Sequence, residues 1–204
     1  MGEEELQRRF VGAMRRLAAT VSVVTCRDLE GNRYGMAATA VTSLSLEPVS
    51  LLICVNRASD FYQRLSEANA FCVNMLSESQ ADQTRLFGSG HYREQRFTTG
   101  TWSEDPGEPP ILAGAQANLI CIRDASFNYG SHAIVVGRVN AVLLGEAVAP
   151  LIYLDRQVVG ARSLGFDPAP PISDFLEVGF GLTLLSLGEG DTPAAGSASQ
   201  PNAV

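Results

Sequence analysis

Lysine is missing altogether: all fifteen basic residues of this 204-residue chain are arginines. Its absence removes the Walker-type phosphate loop, Schiff-base pyridoxal chemistry and the serine–lysine hydrolases. Histidine is nearly as scarce, with His91 and His132 only, which argues against a histidine-rich zinc site or any other metal centre. Cysteine appears four times, as Cys26, Cys54, Cys72 and Cys121. Each lies inside an apolar, strand-like run and none has metal-ligand spacing, so buried free thiols are expected. No apolar run approaches the roughly 18 residues of a membrane span. The opening MGEEELQRRF is acidic and amphipathic rather than signal-like, and a cytoplasmic location away from membranes is expected. A basic stripe is also lacking. The net charge is −7, but all five acids after Arg162 are unopposed, and residues 1–162 are nearly neutral, which excludes nucleic acid as a partner.

What remains is ordinary for one globular domain: 46% hydrophobic and 18% charged residues, enough for a core without disulfide staples. Leu6, Phe10, Met14, Leu17 and Ala18 recur at helical steps and predict an amphipathic helix over residues 3–18. The β-branched TVSVVTC (20–26), the turn DLEGN (28–32) and residues 33–42 read as a hairpin. Residues 49–56 and 71–76 are strands. Residues 60–69 form a short helix, with Asp60 and Gln63 at capping-box spacing, and a second helix runs from Ser77 through Phe87. Residues 88–110 are loop-rich. Strands follow at 117–123, 126–144 and 151–155, with glycines that read as bulges. About seven strands in meander order, with few helices and no βαβ alternation, predict a mainly β, antiparallel barrel with peripheral helices. The domain is expected to end at 162. A proline-rich linker and apolar segment (163–187) follow, packing on the domain or on a partner subunit, and then a low-complexity, disordered tail (188–204).

Four stretches could carry chemistry. Residues 35–48, GMAATAVTSLSLEP, combine small residues with short hydroxyls. They suit either a strand that another backbone approaches closely or a shelf for a flat, polar-edged ring. Asn56-Arg57-Ala58-Ser59 stands between an apolar strand and a helix start and reads as a plain cap or a phosphate seat. His132, beside Tyr129 and Gly130, is structural or borders a ligand. His91 follows GSG, which is no dinucleotide fingerprint because no GxGxxG opens a helix there. Arg93, Arg96 and Phe97 form a solvated loop or a lid over a cofactor phosphate.

Five motifs in order, TVSVVT, GMAATAVTSLSLEP, CVNRAS, REQRF and YGSHAIVVGRV with PLIYLDRQ, resemble the short-chain flavin reductase family, the reductase components of two-component flavin-dependent monooxygenases. The resemblance spans residues 10–160. It implies an FMN-binding, Greek-key split β-barrel, homodimeric, with flavin near the subunit interface. It also implies reduction of FMN or FAD by NADH or NADPH, with the reduced flavin passing to a partner monooxygenase. By the same resemblance, Met36, Ala37, Ala38, Thr39, Ala40 and Ser43 line the ring. Asn56, Arg57 and Ser59 hold the phosphate end, Asn74 lies beside the flavin, and Arg96 and Phe97 match an Arg-Phe pair. His132, the candidate catalytic residue, and Tyr153 border the nicotinamide. The family commonly reads Gly-Met-Thr-Ala-Asn-Ser where Ala37, Thr39 and Ala40 stand, and the hydroxyl missing at Ala37 removes a hydrogen bond worth about 1 kcal/mol. Ser131 replaces the usual Asp before the histidine. A loosely held, exchangeable flavin is expected. The alternatives are a non-enzymatic flavin- or haem-binding barrel and a flavin-retaining oxidoreductase on the same barrel.

Overall fold

The computed structural model describes residues 1–164, so the expected linker and tail lie, but for their first two residues, outside the described residues. Among the described residues, ten strands and three α-helices follow one another. In order they are α1 (Glu3–Met14), β1 (Ala19–Thr20), β2 (Ser22–Arg27), β3 (Arg33–Ala38), β4 (Val41–Leu46), β5 (Val49–Asn56), α2 (Asp60–Glu67), β6 (Ala70–Met75), α3 (Ala81–Gly88), β7 (Ala117–Tyr129), β8 (His132–Leu144), β9 (Ile152–Leu154) and β10 (Gln157–Val159). Seven form one antiparallel sheet in the order β3-β2-β6-β7-β8-β5-β4, and β1-β9-β10 form a small second one. This is the mainly β, split-barrel architecture.

The hairpin turn after β2 forms because the Asp28 carboxylate accepts bonds from the backbone N–H groups of Glu30 (3.0 Å) and Asn32 (2.8 Å), and from the Asn32 side chain. Burial on both faces explains why β2 does not alternate apolar with charged residues. Val24 and Cys26 face the barrel core with Ile53, Phe71 and Val135, while Val21 and Val23 face a second cluster with Leu86, Phe87, Trp102 and Leu112.

Several boundaries differ from the sequence expectation. The helix expected to run to 18 stops at Met14, so Arg15 and Arg16 lie beyond it, and its apolar residues Leu6, Phe10 and Met14 are exposed. The strand expected over 33–42 breaks at Thr39-Ala40. β3 and β4 are the two opposite edges of the large sheet, joined across the seam by those two residues. The run 126–144 hides a chain reversal: β7 ends at Tyr129, Gly130 turns at φ +54°, and β8 starts at His132. Two register shifts fall between Ile120 and Cys121 and between Arg123 and Ala125, the second beside Gly137, which pairs with Arg123. Gly137 also leaves room for neighbours, because a Cβ there would stand 2.4 Å from Phe71 Cζ and 2.9 Å from Cys121 Cβ.

Candidate functional site

A cleft of about 370 Å³ opens between three elements: the middle of β3, the N-terminal turn of α2, and the segment after α3. Met36 and Ala37 form one wall, Ala58, Ser59, Asp60 and Phe61 a second, and Phe87, residues 88–90, Arg93 and Arg96 a third. Of the expected site residues, the fold therefore brings Met36, Ala37, Ser59 and Arg96 together.

The turn into α2 is built by side chains that double as backbone partners. Asn56 Oδ1 accepts from the Ala58 N–H at 2.9 Å, and the Ser59 hydroxyl donates to the Asn56 carbonyl at 2.7 Å and accepts from the Tyr62 N–H at 3.1 Å. Ser59, not Asp60, is the N-cap. These bonds use the Asn56 and Ser59 side chains but leave the Asp60 and Phe61 amides with no protein acceptor among the described residues, at the positive end of the helix. Asp60 places a carboxylate there too, and Arg93 neutralises it by an ion pair.

Arg96 ties the third wall to the first. Its guanidinium donates to the carbonyls of Gly35 (2.8 Å), Leu86 (3.1 Å) and Ser89 (3.1 Å). Partial burial, with the charge of Arg93 second, pulls its pKa below the ordinary arginine value. Phe97 follows in the left-handed region at φ +63°. Its ring meets Phe87 edge-on at 5.1 Å and Trp102 at 4.9 Å. Gly35 is required beside this cluster, since a Cβ there would stand 2.7 Å from Phe87 Cε1.

His132 sits on the neighbouring strand. β5 and β8 pair Asn56 with His132 in register, and Arg57 bonds the reversal before it, its N–H to the Ser131 carbonyl at 3.0 Å and its Nη1 to the Gly130 carbonyl at 3.3 Å. The hydroxyl of Ser131 lies 2.9 Å from His132 Nδ1. The orienting group that the resemblance had as a carboxylate is thus a neutral hydroxyl, and when it donates to Nδ1 the ring proton stands on Nε2.

The other expected residues lie apart from the cleft walls. Ala38 is buried in the barrel core, Thr39 and Ala40 are exposed in the link between β3 and β4, and Ser43 is exposed on β4. Tyr153 packs on the Phe87 cluster, as do Ala37 and Phe97. Asn74 does not open onto the cleft. It is 0% exposed; its amide donates to the Val23 carbonyl (2.9 Å) and the Thr25 hydroxyl (3.1 Å), and its oxygen accepts from the Leu112 N–H and Asn118 Nδ2, both at 2.8 Å. Asp60, Phe61, Phe87 and residues 88–90 were missed as site residues. The GSG after an apolar helix end was the available signal for the last of these.

The cleft holds no nucleophile with a base beside it. The buried thiols lie elsewhere, and burial pushes Cys26 and Cys121 up to about 12 and Cys72 higher still. Among the described residues no three His, Cys, Asp or Glu side chains cluster as metal ligands, and no helix is long and apolar enough to cross a membrane.

Comparison with known proteins identifies the family of the chain. The "Flavin reductase like domain" family model matches residues 14–162. The reductase component of an FADH(2)-dependent resorcinol hydroxylase from Rhizobium sp. is 34% identical over 166 residues, covering 81% of this chain and 93% of that protein. The FMN reductase (NADH) RutF of Methylorubrum extorquens is 36% identical over 162 residues, 78% of each chain. Among solved structures, nitrilotriacetate monooxygenase component B from Mycobacterium thermoresistibile superposes with a TM-score of 0.76 at 27% identity, covering 86% of this chain and 97% of that one. The chain belongs to the flavin reductase-like domain family.

Proposed function

We infer that this protein is an NAD(P)H:flavin oxidoreductase that reduces FMN or FAD and delivers the reduced flavin to a monooxygenase component. The carrying observation is the cleft between β3 and the N-terminus of α2, free of acid–base and nucleophilic machinery, in a chain matched to this family over 149 of its residues. Its volume falls within the roughly 300–1,000 Å³ of small-molecule sites. Its donors also fit such a ligand. The backbone of β3 at Met36-Ala37 offers a flat shelf, and the open amides of Asp60 and Phe61 with Arg93 offer a seat for a phosphate. When bound, the flavin takes the hydride on its own ring, so the protein supplies stacking, alignment and polarity.

In this reading Met36 and Ala37 support the ring, and Arg57 holds the Gly130–His132 reversal against the phosphate turn. His132, held by Ser131, would help to place the nicotinamide through Nε2. Asn56 and Ser59 act by shaping the turn rather than by offering their side chains. Ala37 has no hydroxyl to give, which supports a flavin that exchanges as a substrate.

A homodimer and a cytoplasmic location belong to the same proposal. The dimer is supported by apolar side chains left exposed on α1 (Leu6, Phe10, Met14) and on the β7–β8 hairpin (Phe127, Tyr129, Leu144). The location is supported by the four free cysteines and by the need for NAD(P)H.

Steady-state NADH and NADPH oxidation with riboflavin, FMN and FAD tests the activity: turnover with at least one pair is expected, and none with any pair refutes it. His132→Ala should raise the nicotinamide KM or slow reduction with flavin affinity intact. An unchanged rate removes His132 from the mechanism.

A further inference from the structure

Beyond the first cleft, past the Asp60–Arg93 pair, lies a second recess of about 300 Å³ whose walls include Arg33, Tyr34, Phe61 and Phe97. Asp60, Phe61, Arg93 and Arg96 line both, so the two adjoin at these four residues. The second is cationic, with three arginines against one aspartate on its walls. Arg33 is exposed, makes no ion pair among the described residues, and holds its guanidinium 5.0 Å from the centroid of the Phe97 ring. Phe97 is locked in place by the aromatic cluster behind it. A fixed ring, a planar cation over it and a second aromatic beside them are the surfaces on which a purine stacks, and the arginine forks match a phosphate. The size is at the lower end for ligand sites, enough for one nucleotide half and not for a dinucleotide.

We propose that this recess receives an adenosine 5′-phosphate group, the half of FAD or of NAD(P)H left over once the first cleft is filled, with Arg33 as its principal grip. The proposal rests on the first cleft being the flavin seat. FMN ends at its phosphate, near Asp60 and Arg93, whereas FAD continues from that point into the recess. Arg33 therefore determines how the protein distinguishes the two flavins, or how it holds the nicotinamide donor.

The test compares wild type with Arg33→Ala, an exposed position at the end of an edge strand. Affinities for FMN and FAD are measured by fluorescence titration and the KM for NADH with FMN as acceptor, and 5′-AMP serves as competitor on the wild type. If the adenosine comes from FAD, AMP displaces FAD and not FMN, and Arg33→Ala weakens FAD about tenfold while FMN stays within about twofold. If it comes from the donor, AMP competes with NADH, and the variant raises the NADH KM about tenfold with both flavin affinities kept. Equal shifts for FMN and FAD, or no change in any of the three constants with AMP inert on the wild type, overturn the recess. A wild type that binds no flavin overturns the reading of the first cleft instead.

Discussion

Replacing Gly35 with alanine tests how the cleft wall is held. The residue lies in regular extended backbone of β3, so alanine is conformationally allowed, and the substitution acts through space alone. The added Cβ would stand 2.7 Å and 2.9 Å from two carbons of the Phe87 ring and 3.2 Å from Thr25 Cγ2. Phe87 is 1% exposed and braced by Phe97 and Trp102, so it has no free direction in which to move. Overpacking of this kind costs about 1–3 kcal/mol. The lower entropy of the unfolded alanine chain returns about 0.4–1 kcal/mol. A net loss of about 1–2 kcal/mol corresponds to a Tm lower by roughly 2–8 °C for a domain of this size. Trp102 is the single tryptophan and its ring centroid lies 5.5 Å from that of Phe87, so urea unfolding followed by its fluorescence reports on the site directly. Since Met36 and Phe87 both line the cleft, FMN affinity should fall as well. Phe87→Leu in the same chain should recover part of the loss, giving a double variant more stable than the sum of the two changes. A Gly35→Ala protein with parental stability and unchanged tryptophan emission would refute the packing argument.

Asn74→Ala removes both halves of a buried polar network, and with about 1–3 kcal/mol for each orphaned group the loss should be on the order of 3 kcal/mol, seen in urea unfolding. Reduced flavin affinity at parental stability would instead place Asn74 beside the ligand. Native protein at pH 8 should expose at most Cys54 to a thiol reagent within minutes, and all four cysteines in urea, because burial holds Cys26 and Cys121 near 12 and Cys72 above that; rapid reaction of two or more would contradict this. The side-chain bond from Asn32 holds the Asp28 carboxyl below its ordinary value of 3.8. A depressed folded pKa stabilises above the unfolded value and is lost as pH falls through the folded one. Asp28→Ala should therefore lower Tm at neutral pH, and the gap to wild type should close below about pH 4; a gap constant down to pH 2 would sink the assignment.

Strands with continuous β-branched character were legible: β5 and β6 lie within a residue of their expected bounds, and Asp28 marked its turn because one carboxylate organises it locally. The seam at Thr39-Ala40 was not, because the hydrophobic pattern runs on unchanged while the partner strand switches from β2 to β5. The reversal at Gly130 was read as a bulge since Tyr129 and His132 continue the alternation. Motif order named Met36, Ala37, Ser59 and Arg96, which the fold brings to one cleft from three separate stretches of the chain. Asn74 illustrates the limit. A polar residue in an apolar strand reads the same whether it faces ligand or core, and its partners arrive from residues 23–25, 110–112 and 118.

The two arginines of the loop give the cleft unequal jaws. Arg96 spends three donors on carbonyls of β3, α3 and the loop, so one jaw moves as a single rigid piece. Across from it, Arg93 meets Asp60 in an exposed pair, a contact worth about 0–1 kcal/mol and weakened further by salt. The α2 side of the cleft is therefore tied to the loop by a contact that salt weakens, whereas the β3 side is tied by three hydrogen bonds that salt leaves largely intact.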